Sequence, residues 1–358
     1  MRKNLFVRSI AAVSGIVMLA SLAACGDNTS SAGNNSGSTS TEKITGSFSG
    51  AGATSQQAAE EAWISAYMAA NSGANVTYNP TGSGAGVTTF LSGATAWAGS
   101  DKALSDDEVT QSSDKACANG TTAFDVPVYI SPIAIIFNLK GVSDAGKHIN
   151  LDADTAAKIF DGKIVKWNDP AIANQNKDLA LPDTQITVVH RSDKSGTTQN
   201  FVSYFKDQAP DSWTHELSEN WPDIPGQQSA KGTSGVVTAV KQADGTIGYA
   251  DFSQVGDLGT AAIKVGENYN EISADAGSKV IEDSEIDTSV KGDNRVVVKI
   301  NHATEAKGAY PIVLVSYDIA CPAYKDANTA KFVKSWLTYV TSDEGQKTAS
   351  SAAGSAPL

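Results

Sequence analysis

The chain has 358 residues, 41% of them hydrophobic and 18% charged, which is enough apolar content for two packed domains and too much for a largely disordered chain. Lys and Arg number 27 against 39 Asp and Glu, a formal net charge of −12, so a basic face for nucleic acid or an anionic membrane is not expected. The 3 Cys and 4 scattered His show no ligand spacing, and no metal site or cofactor is expected.

At the N-terminus Arg2, Lys3 and Arg8 precede an apolar stretch at 10–20, shorter than the roughly 20 residues of a spanning helix. It ends in Leu22-Ala23-Ala24-Cys25, which resembles the lipobox of bacterial lipoproteins. That resemblance implies a signal peptide over 1–24 and a lipid on Cys25; the alternative is an ordinary signal peptide with an incidental Cys. The Gly-, Ser- and Asn-rich run that follows reads as a flexible tether, giving an anchored segment over 25–45. An exported chain meets an oxidising compartment, and with Cys25 lipidated only Cys117 and Cys321 remain. One disulfide between them is the economical reading; two separate buried thiols are the other.

Past the tether, strand-like and helix-like segments alternate. A short strand at 47–49 leads to a helix over 55–70, then a strand at 75–78, a short helix at 86–92 and a strand end at 97–100. An apolar run over 126–137 contains Pro127 and Pro132, so its pairing cannot be regular throughout. A helix at 154–160, a β-branched strand at 186–190, helices at 198–205 and 236–242 and a strand at 247–250 follow. Strands at 296–300 and 312–317 and an amphipathic helix over 327–340 complete the pattern, and the acidic stretch 283–287 reads as a solvated loop. The alternation argues for α/β layers with mainly parallel sheets. The apolar runs at 126–137 and 312–317 are candidates for strands crossing between two lobes. On that reading 46–128 and 309–358 make lobe I, and 129–308 makes lobe II.

Three stretches place small, hydroxyl and Gly residues between a strand and a helix: Gly50-Ala51-Gly52-Ala53-Thr54-Ser55, Thr81-Gly82-Ser83-Gly84-Ala85-Gly86 and Asp193-Lys194-Ser195-Gly196-Thr197-Thr198. Each can offer backbone N–H groups and a hydroxyl at a helix N-terminus, an arrangement that binds anions. Plain N-capping is the commoner use of such residues. In the third stretch a strand delivers Arg191, a planar fork of donors suited to an oxyanion, with Asp193 close enough to brace it. Asp101 ends another strand in Gly99-Ser100-Asp101. An ionised carboxylate only accepts hydrogen bonds, so it fits an anion site whose ligand brings a proton.

These motifs resemble the phosphate-binding proteins of bacterial phosphate ABC transporters, the PstS family. Further matching stretches are Leu104-Ser105-Asp106, Ile159-Phe160-Asp161-Gly162-Lys163-Ile164 with Lys166-Trp167, Gly245-Thr246-Ile247-Gly248-Tyr249 and Tyr310-Pro311-Ile312, and the similarity runs from about Ser47 to Leu358. The resemblance implies a two-lobed type II periplasmic-binding-protein fold, each lobe a mainly parallel sheet flanked by helices, with the ligand in the interlobe cleft. It implies high-affinity extracytoplasmic binding of inorganic phosphate by a lipid-anchored protein of the cell membrane. It also implies delivery to membrane permease subunits served by a separate ATPase. By position it implies these phosphate contacts: the Thr54 hydroxyl, the Ser55 backbone N–H, the Ser83 hydroxyl and N–H, Asp101 as proton acceptor, Arg191 braced by Asp193, and Ser195, Gly196 and Thr197 around the remaining oxygens. The chain departs from the family at Ser55, where an aromatic residue is frequent.

Two other readings are weaker. Gly141-Val142-Ser143-Asp144-Ala145-Gly146-Lys147-His148 resembles a nucleotide phosphate loop but has His148 where Ser or Thr is required, and reads as a surface turn. A phosphate-ester hydrolase with Ser195 as nucleophile needs His190 as base, yet His190 and Arg191 alternate across one strand. A binding protein for another oxyanion is the nearer alternative. The six Trp, at 63, 97, 167, 213, 221 and 336, read as core or cleft-rim residues.

Overall fold

The structure is a computed structural model that describes residues 43–143, 148–356 and 358. The signal-peptide and lipid-anchor expectations, Cys25 included, lie outside the described residues, as do most of the 25–45 tether and the middle of the 141–148 turn.

The chain opens with β1 (Gly46–Gly52), α1 (Gln57–Ala70), β2 (Ala74–Asn79), α2 (Ser83–Leu91) and β3 (Trp97–Ser100). Helix α3 (Asp106–Lys115) follows, started by a reciprocal capping box between Ser105 and Glu108. The long strand β4 (Phe124–Asn138) leads to β5 (Ile149–Leu151), α4 (Ala153–Phe160) and α5 (Pro170–Ala173). Then come β6 (Thr187–Arg191), α6 (Gly196–Gln208), β7 (Gln228–Ala230), α7 (Gly232–Gln242) and β8 (Thr246–Asp251). A further group is β9 (Gly259–Val265), β10 (Asn268–Asn270), α8 (Ala274–Glu282), β11 (Glu285–Ile286) and β12 (Val298–Lys299). The chain closes with β13 (Val313–Ala320), α9 (Ala327–Val340) and α10 (Asp343–Ala353).

The main sheet has the order β2-β1-β3-β13-β4-β8-β6-β7, with β9 joining β4 and carrying β5 and β10. Pairing is parallel on both outer sides, β1 with β2 and β3, and β6 with β7 and β8. It is antiparallel through the middle, where β13 meets β3 and β4, and β4 meets β8. Strand β4 changes partner along its length: Phe124–Pro132 face β13, and Ile133–Asn138 face β8. The register slips opposite Ser316 and Tyr317, next to Pro127, where a ring without an N–H cannot complete the ladder. Among the described residues β13 pairs with β3 and with the first part of β4. The expected strand at 296–300 shrinks to the two residues of β12, and its partner β11 lies in the acidic stretch read as a loop.

Each side of the sheet has its own aromatic core. On the β1 side Trp97, Trp336 and Phe332 pack together, with Phe48 stacked on Phe332 at 4.0 Å between centroids. On the β6 side Phe160, Phe201 and Tyr249 pack with Trp221 and Trp213, and Phe201 stacks on Tyr249 at 4.4 Å. Trp63, Trp97, Trp167, Trp213 and Trp336 are fully buried, as core residues should be. A disulfide joins Cys117, beyond α3, to Cys321 at the end of β13 across 204 residues of sequence.

The β1-side core also holds two carboxyls. Glu60 accepts from Trp97 Nε1 at 3.3 Å and Asp318 accepts from Trp336 Nε1 at 3.1 Å, and neither side chain reaches solvent. The other oxygen of each has no partner among the described residues. Burial pushes Glu60 well above the usual carboxyl range, helped by the charge of Asp318, and burial raises Asp318 as well. A carboxyl raised in the folded state contributes stability that is complete below its unfolded value of about 4 and is lost as pH rises through its folded value. The fold should therefore weaken from pH 5 toward pH 8. Asp318→Asn should melt above the parent at pH 8, with the difference shrinking toward pH 5; coincident melting curves across that range would contradict the assignment. Replacing Cys117 and Cys321 together by Ser should cost ~2–5 kcal/mol in chemical denaturation, since the bridge closes a long loop of the unfolded chain.

Candidate functional site

Five strand ends converge where the two sides of the sheet face each other. At the end of β1, Gly52 passes so close to β3 that a Cβ there would lie 1.9 Å from the Gly99 carbonyl oxygen. This close approach delivers Thr54 and Ser55, both buried, to the front of the sheet. After β2, Gly82 adopts φ +97°, and a Cβ on it would stand 2.4 Å from Asp193 Oδ2 on the opposite side. Only glycine meets both demands, and it starts α2 at Ser83. Asp101 follows β3 and is 2% exposed.

From the other side, β6 carries Arg191 into the same space, also 2% exposed. Asp193 grips its guanidinium, with Nε donating to Oδ1 at 2.8 Å and a terminal nitrogen donating to Oδ2. The Gly232 N–H donates to the same Oδ1 at 3.0 Å. Burial works to raise the Asp193 carboxyl, but the bonds and charge of Arg191 and the Gly232 N–H outweigh it and hold the group below its usual value. Ser195 caps α6 by accepting from the Thr198 N–H at 3.2 Å. Gly196 lets that helix start against Asp101, since a Cβ there would meet Asp101 Cβ at 2.9 Å.

Asp101 is the point at which these loops meet. Its Oδ1 accepts from Ser55 and from Ser316, each at 2.6 Å, and its Oδ2 accepts from Thr197 at 2.7 Å. Its backbone N–H donates to Ser83 Oγ at 3.3 Å, and its carbonyl accepts from Asn200 Nδ2 at 2.7 Å. Other bonds join the two sides directly. The Thr54 and Thr233 hydroxyls lie 2.8 Å apart, Gly84 N–H donates to the Lys194 carbonyl at 3.2 Å, and Gln254 Nε2 donates to the Thr54 carbonyl at 2.7 Å. At the mouth the nearly buried Glu219 lies 3.2 Å from Lys194 Nζ and 3.8 Å from Lys102 Nζ.

All the residues singled out in the sequence, Thr54, Ser55, Ser83, Asp101, Arg191, Asp193, Ser195, Gly196 and Thr197, are thus brought to one place. The part played by Ser55 is wider than the backbone contact expected of it, because its hydroxyl bonds Asp101. Sequence reasoning missed Thr233 and Ser316. Thr233 had a signal, since Gly232-Thr233-Ser234-Gly235 repeats the pattern of a strand, small polar residues and a helix start. Ser316 had none, being one hydroxyl in the apolar strand β13. His190 stacks on Trp221 at 5.4 Å and its Nδ1 lies 2.9 Å from the Arg191 carbonyl. The chemistry assembled is that of an oxyanion site: one buried guanidinium, helix N-terminal N–H groups from α2 and α6, hydroxyls, and one acceptor carboxylate. Among the described residues no group of three or more His, Cys, Asp or Glu could hold a metal ion.

The family model described as PBP superfamily domain matches residues 37–344. The protein named Phosphate-binding protein PstS2 in Mycobacterium bovis is 37% identical over 345 residues, covering 93% of this chain and 90% of that one. Phosphate-binding protein PstS 3 of Mycobacterium leprae is 36% identical over 291 residues, covering 80% and 76%. Among solved structures, a high-affinity periplasmic phosphate-binding protein (PfluDING) bound with phosphate superposes with a TM-score of 0.70 at 23% identity, covering 87% of this chain and 91% of that one. The phosphate-binding protein of Stenotrophomonas maltophilia gives 0.65 at 22% identity, covering 88% and 91%. The fold is that of a type II periplasmic-binding protein, and the chain belongs to the PstS family of phosphate-binding proteins.

Proposed function

We propose that this protein is the extracytoplasmic receptor that binds inorganic phosphate and hands it to the membrane permease of an ABC importer driven by separate ATPase subunits. The observation that carries this reading is Asp101, a buried acceptor set among donors, beside a braced Arg191. Phosphate near neutral pH carries at least one proton and can donate it to Asp101; sulfate carries none. With sulfate the carboxylate would face a lone pair in a dry site, a loss on the order of three decades of affinity. Arsenate has the same protons as phosphate, so this site favours both over sulfate.

In this reading Thr54 gives its hydroxyl, Ser55 its N–H, and Ser83 both. Arg191 donates two bonds with Asp193 behind it, and Ser195, Gly196 and Thr197 cradle the remaining oxygens. Residues 46–128 with 309–358 form one lobe and 129–308 the other, hinged near Pro132, where β4 changes partner. The bonds from Asp101 to Thr197 and Asn200, from Thr54 to Thr233 and from Gly84 to Lys194 join the two lobes, so they form on closure and part on release. No described helix is long and apolar enough to cross a membrane, so transport is assigned to partner subunits. Cys25 is the proposed lipid anchor that holds the receptor on the outer face of the cell membrane. A hydrolase is disfavoured because the His190 ring is engaged by Trp221 and the Arg191 carbonyl, while Ser195 Oγ caps α6.

Calorimetric titration of the chain from Thr29 onward, stripped of bound phosphate, tests this. Phosphate should bind with micromolar or tighter affinity and sulfate should give no heat. Asp101→Asn should weaken phosphate by roughly a hundredfold, and Arg191→Ala by at least as much, because it also leaves the half-buried Asp193 without its cation. Absence of phosphate heat together with an unchanged melting temperature would overturn the ligand assignment.

A further inference from the structure

Two serines beneath Asp101 do not belong to the set of groups that would touch phosphate through their side chains. Ser55 lies in the loop after β1, and Ser316 lies in the middle of β13, 261 residues later in the chain. Both are fully buried, and both hydroxyls donate to the same atom, Asp101 Oδ1, at 2.6 Å. A carboxylate oxygen has two lone pairs, so these two bonds fill Oδ1. Oδ2 accepts one bond, from Thr197 across the site, and keeps a lone pair.

We propose that Ser55 and Ser316 are specificity-determining positioning residues, whose hydroxyls saturate Asp101 Oδ1 and leave Oδ2 as the single acceptor presented to a protonated oxyanion. The inference rests on the phosphate reading of the site and adds the residues that aim its proton acceptor. Rotation of the carboxyl about its Cβ–Cγ bond would give up both serine bonds at once. The backbone of Asp101 is pinned separately by Ser83 and Asn200, so the serines control the carboxyl group rather than the loop. With one hydroxyl gone, Oδ1 regains an open lone pair in a dry site, and the carboxylate loses its preferred orientation toward the ligand.

A double-mutant cycle separates this role from general support of the fold. Phosphate is titrated into the stripped parent, Ser55→Ala, Ser316→Ala, Asp101→Ala, and each serine variant combined with Asp101→Ala. Each serine change should weaken phosphate roughly tenfold while Asp101 is present and less than about twofold once it is absent. In competition experiments the preference for phosphate over sulfate should narrow in both serine variants, since sulfate has no proton for Asp101 to accept. Equal losses in the two backgrounds, or no loss at all, would overturn the proposal. The two serines sit on different elements, so a variant that fails to melt cooperatively leaves the other to decide. A parent that binds no phosphate would remove the functional reading itself, an outcome distinct from a parent that binds while the cycle shows no coupling.

Discussion

The site depends on the satisfaction of one buried carboxylate. An ionised Asp out of reach of water is costly unless its oxygens are occupied, and Asp101 is occupied from three separate parts of the chain. Ser55 and Ser316 come from one side of the sheet and Thr197 from the other. The group that would read the ligand's proton is therefore also a group that joins the two sides. On the proposed reading the same atoms would serve recognition and closure.

Close backbone approach makes that convergence possible. Gly52 lies against Gly99, Gly82 against Asp193 and Gly196 against Asp101, at distances where any Cβ would collide. These glycines let loops with short polar side chains crowd into one small volume. Charge is balanced in the same volume. Arg191 is held by Asp193 with two bonds, which fixes the fork and leaves Nη1 and the second N–H of Nη2 as its remaining donors. The net negative charge of the chain does not oppose anion binding, because local N–H dipoles and one guanidinium set the field, while distant charges are screened within about 8 Å at physiological salt.

The rest of the molecule carries its own polar burden. Glu60 and Asp318 lie in an aromatic core with one oxygen each unpartnered among the described residues. Asp251 ends β8 beside the point where β4 changes partner. Burial raises it to about 7 against the pull of Ser253 and Ser131, with the charge of Asp101 adding to the rise. Carboxyls of this kind weaken the fold as pH rises, whereas Asp193, held low by Arg191, keeps its brace well into the acid range.

Much of this was legible in the sequence because it is local. Periodicity located α1, α4, α9 and most strands within a few residues, and the hydroxyl-and-glycine stretches before helices marked three of the loops that build the site. Arg191 and Asp193 are two residues apart on one strand end, so their pairing was readable too. The helices α3, α8 and α10 were missed although Ser105, Ser273 and Ser342 cap them, a signal that lies in single N-cap residues rather than in a run of apolar ones. What only the tertiary structure decided is what depends on distant segments meeting. Ser316 joins Asp101 from 215 residues away, and Thr54 meets Thr233 across 179. A hydroxyl in an apolar strand has no sequence signature of its own, because its partner is chosen by strand order and register. For the same reason the partners of β4 and β13 were not readable: both are apolar runs, and pairing alone shows that β4 passes from β13 to β8 along its length.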